Sequence, residues 1–143
     1  VNLDQLVFVD FDELLEIHAE ALRQAGGADG VRDRGLLQSA LAAPQRSAFG
    51  ELAYPTLAKM AAALAYGLAR NHGFVDGNKR AAHMTSRVFL EYNGYPMAVP
   101  PDWAEIIEAV AAGTLDQDAL AQLFAGTIGG DIAVSIDSEL ERS

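Results

Sequence analysis

Between Tyr54 and Arg70 apolar positions crowd the chain so densely that hardly any polar face is left. Leu57, Met60, Ala61, Leu64, Ala65 and Leu68 form one helical stripe, and Ala58, Ala62, Ala63 and Ala69 fill the other sides. A helix that is apolar all round has to be buried, so this stretch predicts a central rod. Its neighbours carry one-sided patterns. Phe11, Leu14, Leu15, His18 and Leu22 recur on one face of a helix running to about Gln24, which makes His18 a hydrogen-bonded core residue rather than a ligand. Asp10 with Glu13 three residues on opens that helix as a variant capping box, and Gly26-Gly27 closes it. Asp33 caps a short helix with Leu36, Leu37, Ala40 and Leu41 inside, stopped by Pro44. A further helix leaves from Asn78 through Ala81, Met84, Val88 and Tyr92 to Asn93-Gly94. Pro100-Pro101 opens another with Trp103, Ile106, Ile107 and Val110 buried, closed by Gly113, and Thr114 to Ala125 gives a last short one.

Several stretches fall outside helical period, among them the glycine-rich Ala25 to Val31, which reads as a turn. Leu6 to Val9 predicts a short extended segment, and Gln45 to Ala53 predicts a connector bracketed by Gly50 and Pro55. After Gly126 the pattern alternates weakly from Ile128 to Ile136 and then turns polar and charged from Asp137 to Ser143. The expectation is an all-α bundle around a central buried helix, with a domain over residues 1–126 and a tail, strand-like in part, over 127–143.

Composition narrows the function classes. At 143 residues, half of them hydrophobic, the chain is long enough for one domain with a sizeable core. Only ten Lys and Arg stand against twenty Asp and Glu, a net charge of −10, which argues against direct nucleic-acid binding. No apolar run reaches membrane-spanning length and there is no cysteine, so a cytoplasmic protein without disulfides is expected.

The chemistry concentrates in Asn71 to Arg87, where a loop from His72 to Gly77 lies between two helical patterns. A helix N-terminus presents unpaired N–H groups and partial positive charge, and Lys79 and Arg80 add to it, so phosphate is the natural ligand. Gly77 lets a ligand approach the backbone and accepts the positive φ of an amide nest. His72 supplies the one side-chain type suited to proton transfer near neutral pH, and Asp76 a hard oxygen suited to magnesium on a phosphate. Phe74 is expected to pack inward and pin the loop. Taken singly, His72 could be an end cap, Asp76 a loop acid and Lys79-Arg80 a solvated first turn. Together they are hard to explain that way, because basic residues are disfavoured in a first turn.

His72, Phe74, Asp76, Gly77, Asn78, Lys79 and Arg80 match the signature His-x-Phe-x-(Asp/Glu)-Gly-Asn-(Gly/Lys)-Arg, and the chain resembles the Fic/Doc family on these seven positions. Lysine before the arginine resembles the Doc branch, the death-on-curing toxins. Gly27 to Leu41 and Phe89 to Tyr95 extend the likeness, which covers about residues 5 to 125. The resemblance implies a toxin that moves the γ-phosphate of ATP to a protein hydroxyl, by family habit a threonine of translation elongation factor Tu. It gives His72 the general base, Asp76 the Mg2+, and Gly77, Asn78, Lys79 and Arg80 the phosphates, with Asn78 also fixing the loop. The connector becomes a flap that pairs with an extended target, with Arg46, Ser47, Ala48, Phe49, Gly50, Glu51 and Leu52 as its candidates, although a plain surface loop fits them equally.

Two departures separate the chain from Fic adenylyltransferases, which carry glycine where Lys79 stands and a second arginine where His83 stands. Both favour phosphoryl over AMP transfer. His83 is expected at the site's edge rather than as a second base. AMP transfer, or a catalytically idle binding module, are the alternatives. An antitoxin protein is the expected partner, since the family's inhibitory Ser/Thr-x-x-x-Glu-Gly/Asn signature is not in this sequence.

Overall fold

The computed structural model describes residues 1–136, so the polar stretch 137–143 lies outside the described residues. Among the described residues six α-helices predominate: α1 Phe11–Ala25, α2 Arg34–Ala42, α3 Leu57–Asn71, α4 Asn78–Tyr92, α5 Trp103–Ala112 and α6 Gln117–Ile128. The all-α expectation holds, with one small hairpin added.

Helix α3 is the rod that the others surround. Leu57, Ala58, Met60 to Ala65, Leu68 and Ala69 are all buried, and α2, α4, α5 and α6 each pack on it. Its leucines and Met60 each contribute about 1.5–3 kcal/mol by leaving water, while its alanines let neighbouring helices come close. Thr56 starts the helix by accepting a hydrogen bond from the Lys59 amide at 3.1 Å. The other starts are also as the sequence predicts. Asp10 and Glu13 form a reciprocal capping box on α1, and Asp33 accepts from the Leu36 amide on α2. Pro44 does not cut the chain abruptly. It sits early in a 3-10 turn over Ala43–Gln45, where a missing N–H costs nothing.

The connector after that turn is a hairpin of two very short strands, β1 Ser47–Ala48 and β2 Glu51–Leu52, antiparallel with Ser47 opposite Leu52 and Ala48 opposite Glu51. Phe49 and Gly50 make the turn at φ 54° and 78°, the paired left-handed geometry that matches strand twist. The expected domain edge at residue 126 falls inside α6, which runs on to Ile128. Beyond it the chain turns back. Leu57 donates to the Ile132 carbonyl, Val134 to Pro55 and Leu3 to Ser135, and Val134 is buried. Residues 132–135 therefore tie the start of the chain to the start of α3. Residues 6–9 run extended without joining a sheet.

Candidate functional site

The loop between α3 and α4 is held from three sides. Helix α3 ends at His72, whose backbone is left-handed at φ 51° and ψ 46°, a conformation that costs a non-glycine residue about 1 kcal/mol or more. The Arg32 guanidinium fixes that residue's carbonyl with a 2.7 Å hydrogen bond. The glycine-rich stretch after α1 runs beside the loop as a brace: the Arg32 and Asp33 amides donate to the Gly73 carbonyl, and the Val75 amide donates to Gly30. Helix α1 contributes His18. Its ring stacks on buried Phe74 at 3.7 Å between centroids, and its Nε2 lies 2.8 Å from the Asp76 carbonyl oxygen. A carbonyl can only accept, so the proton is on Nε2. Asn78 closes the loop from α4, accepting from the Phe74 amide and donating to the Phe74 carbonyl, both at 3.0 Å.

This braced loop forms one side of a cleft of about 840 Å³. His72, Asp76, Gly77, Asn78, Lys79 and Arg80 all line it, facing Trp103, Ala104, Ile107 and Glu108 of α5. Gly77 begins α4 at φ 77° with no side-chain cap, so the helix opens its first amides onto the cleft. A Cβ at residue 77 would lie 3.2 Å from Leu22 and 3.4 Å from the His18 ring, which explains a glycine there on packing as well as on φ.

The charges in the cleft are arranged unevenly. Lys79 Nζ reaches across to Glu108 Oε1 at 2.7 Å, and Arg80 Nη1 touches Gln24 Oε1 at 3.3 Å. Asp76 accepts from the Gly77 amide at 2.8 Å and from the Ala28 amide at 3.2 Å. Each of its oxygens keeps lone-pair capacity beyond that bond. Among the described residues no group of three His, Cys, Asp or Glu side chains could enclose a metal. A single carboxylate beside a phosphate nest fits magnesium, which retains waters and takes its remaining ligands from phosphate oxygens, and does not fit a closed structural site. His83, one turn beyond Lys79, sits near Trp103 with ring centroids 5.8 Å apart. Burial above all, then the Arg87 and Arg80 charges, pushes its imidazole down to about 4, so it is neutral at pH 7 and unsuited to hold a proton there.

His72, Asp76, Gly77, Asn78, Lys79 and Arg80 converge on one cleft, and Phe74 and Asn78 anchor the loop beneath it. The Asn78 side chain is spent on the Phe74 backbone, which leaves only its amide for a phosphate. None of Arg46 to Leu52 lines the cleft. Arg46, just before the hairpin, borders instead a second cavity of about 350 Å³ with Tyr54, Tyr66 and Asn71. The sequence did not reveal Glu108, Trp103 or Arg32 as site residues. Glu108 and Trp103 carry helical spacing typical of a surface acid and a core aromatic, and no local pattern announces their position opposite residues 79 and 83.

Known proteins align with the same region. A model of the Fic/DOC family matches residues 8–90, which contain the whole loop. Toxin Doc of Mycolicibacterium smegmatis is 44% identical over 104 residues, covering 71% of this chain and 80% of that protein. Protein kinase doc of Escherichia phage P1 is 29% identical over 111 residues, covering 77% and 86%.

Proposed function

The chain belongs to the Fic/Doc family, and from that premise we propose that it is the toxin of a toxin–antitoxin pair, a protein kinase that passes the γ-phosphate of ATP to a hydroxyl of a target protein. The observation that carries the choice of phosphoryl over AMP transfer is Lys79, whose side chain spans the cleft to Glu108 at 2.7 Å in front of the α4 N-terminus. A nucleotide laid with its tail through that space would meet the lysine stem. The relative called a protein kinase supports the same reading.

In this reaction the target oxygen attacks the γ-phosphorus while the bond from that phosphorus to the β-bridging oxygen breaks, and ADP leaves. His72 takes the proton that the hydroxyl loses, a contribution of typically about 10²–10⁴-fold. Charge that builds on the leaving oxygen is met by the first amides of α4, by Arg80 once it exchanges Gln24 for phosphate, and by Lys79. Asp76 would hold Mg2+, which when bound neutralises phosphate charge. The braces from His18, Arg32 and Asn78 keep the base and the nest in one geometry, so little ordering remains to be done during the reaction.

The target is a threonine of elongation factor Tu, with the hairpin at Ser47 to Leu52 offering backbone edges to an extended segment. An antitoxin with a basic segment suits a chain of net charge −10. Incubation of the purified protein and this factor with ATP labelled separately at the α and γ positions, followed by mass spectrometry, tests the assignment. A γ-labelled phosphate adduct that disappears with His72→Ala is the expected outcome. An AMP adduct, or no adduct, would replace kinase by adenylyltransferase or by a binding module.

A further inference from the structure

The cavity of about 350 Å³ beside the hairpin shares no lining residue with the cleft, and no step of the reaction uses it. Ser39 of α2, Tyr66 and Asn71 of α3, Gln117 of α6, and Arg46 and Tyr54 on either side of the hairpin give it polar walls. Arg46 is its cation, and among the described residues no Asp or Glu stands in the wall. In a chain of net charge −10 that sign is the exception. The Arg46 contact with Ser39 Oγ is long, 3.4 Å, and none of the ion pairs among the described residues includes this guanidinium. Its remaining donors form a planar fork that matches a carboxylate. Asp116, beside Gln117, is engaged in capping α6 through the Ala119 amide at 2.8 Å.

The position of the cavity ties it to the transfer. Asn71 in its wall is the last residue of α3, and the next residue is His72 in the cleft, one Cα step of about 3.8 Å away. Arg46 immediately precedes β1, and the Ala53 amide donates to its carbonyl at 2.8 Å, which extends the hairpin ladder to the edge of the cavity. At the far end of the hairpin Phe49 is fully exposed at φ 54°, an apolar ring held out in solvent in a costly conformation. Pocket at the foot and aromatic at the tip make the hairpin a surface for an extended segment.

We infer that this cavity is a specificity pocket that takes an Asp or Glu side chain of the target segment, and that Arg46 is the residue that pairs with its carboxylate. The inference rests on the reading of the chain as a transferase acting on a protein hydroxyl. Side chains of an extended segment alternate between its two faces, with about 6.6–6.8 Å between neighbours on one face. A segment laid along the hairpin with its hydroxyl turned to His72 therefore turns to the protein the side chains at even spacing from that hydroxyl, and the cavity beside Asn71 receives one of them. Leu36, Ala40 and Ala63 give its methylene stem an apolar floor, while the Tyr54 and Tyr66 hydroxyls and the Asn71 amide supply donors beside Arg46. Backbone pairing with the hairpin reads little of the target's sequence, so the pocket supplies the selection that the hairpin lacks. It decides which hydroxyl is presented and leaves the chemistry to the cleft.

The experiment offers the protein peptides that carry one threonine between randomised flanks, with magnesium and ATP labelled separately at the α and γ positions, and identifies acceptors by mass spectrometry. Acceptors are expected to be enriched in Asp or Glu at one position of even spacing from the threonine. Arg46→Glu should exchange that preference for Lys or Arg at the same position. Arg46→Ala should raise KM for acid-bearing peptides by about three- to tenfold with kcat held, the worth of a charged hydrogen bond at an exposed guanidinium. Ser39→Asp, which adds a carboxylate to the pocket from an exposed position on α2, should weaken the same peptides. Inorganic tripolyphosphate should bind all three variants as it binds wild type in calorimetry, because neither residue lines the cleft, and that affinity also guards against a folding defect. Acceptors without a charge preference, or an acidic preference that survives Arg46→Glu, would overturn the pocket while leaving the kinase reading in place. AMP adducts with the same Arg46-dependent preference would support the pocket and replace the kinase reading. Transfer of neither label to any peptide would remove the pocket together with the reading on which it rests.

Discussion

His18 is a residue of α1 that never reaches the cleft, yet its removal should be felt there. It is 3% exposed, stacks on Phe74 and donates to the Asp76 carbonyl at 2.8 Å. His18→Leu deletes the donor and the ring together. Leaving a buried carbonyl unpaired costs about 1–3 kcal/mol, and loss of the stacked pair about 0.5–1.5 kcal/mol more. The sum, about 2–4 kcal/mol, is worth roughly 6–12 °C in Tm for a domain of this length. Gln can present an amide nitrogen near the place of Nε2, so His18→Gln should restore the hydrogen bond and recover more than half of the loss. Thermal unfolding measures the stability part. The functional part is read from tripolyphosphate affinity, because a loosened Asp76 peptide lets the neighbouring Gly77 nest drift. A His18→Leu protein that melts within a degree of wild type and binds tripolyphosphate equally well would refute the claim that this histidine fixes the loop.

Other consequences are simpler to state. His72→Gly relieves the left-handed backbone at φ 51° while deleting the base, so Tm should rise by about 2–4 °C as transfer falls by about 10²–10⁴-fold, seen by melting and by single-turnover assays. Gly27→Ala would put a Cβ 2.8 Å from Asp76 Oδ2 at a φ of 119°, displacing the carboxylate; calorimetry should show ATP affinity in magnesium falling by about tenfold, with little change in magnesium-free buffer. His83 is held down to about 4 in the fold against a usual 6.5. The unfolded chain therefore binds the extra proton first, and stability is full above pH 6.5 and drains away as pH falls toward 4. Solvent screening at this partly open ring leaves about 1–2 kcal/mol, and His83→Leu should flatten that limb of a Tm-against-pH curve.

The parts of the molecule legible in the sequence were those whose physics is local. The buried character of α3 follows from alanine and leucine on every side, and the starts of α1 and α2 follow from Asp10 and Asp33. The loop was legible because base, carboxylate, nest and cations fall within nine residues of one another. What escaped was set by tertiary packing. Glu108 meets Lys79 across 29 positions, and Arg32 meets the His72 carbonyl across 40. The hairpin strands, two residues each, are too short to show a period of two. Residues 132–135 alternate only weakly because their bonding is with two separate segments, near Val1 and near Pro55, rather than with one sheet.

The two walls of the cleft come from different parts of the chain. His72, Asp76 and the α4 N-terminus lie in residues 72–80, inside the 8–90 span that matches the family, whereas the opposite wall is drawn largely from residues 99–111 beyond it. His72 and Gly77 hold positive-φ conformations that side chains other than their own bear poorly, glycine excepted, and three separate braces converge on the loop. Helix α5 carries no such strain at Ala104 or Glu108, both exposed on its surface. If the proposed kinase reading holds, substitutions on the exposed α5 wall leave in place the braced loop that carries His72, so they should change ligand affinity without the loss of stability expected from substitutions at the braces.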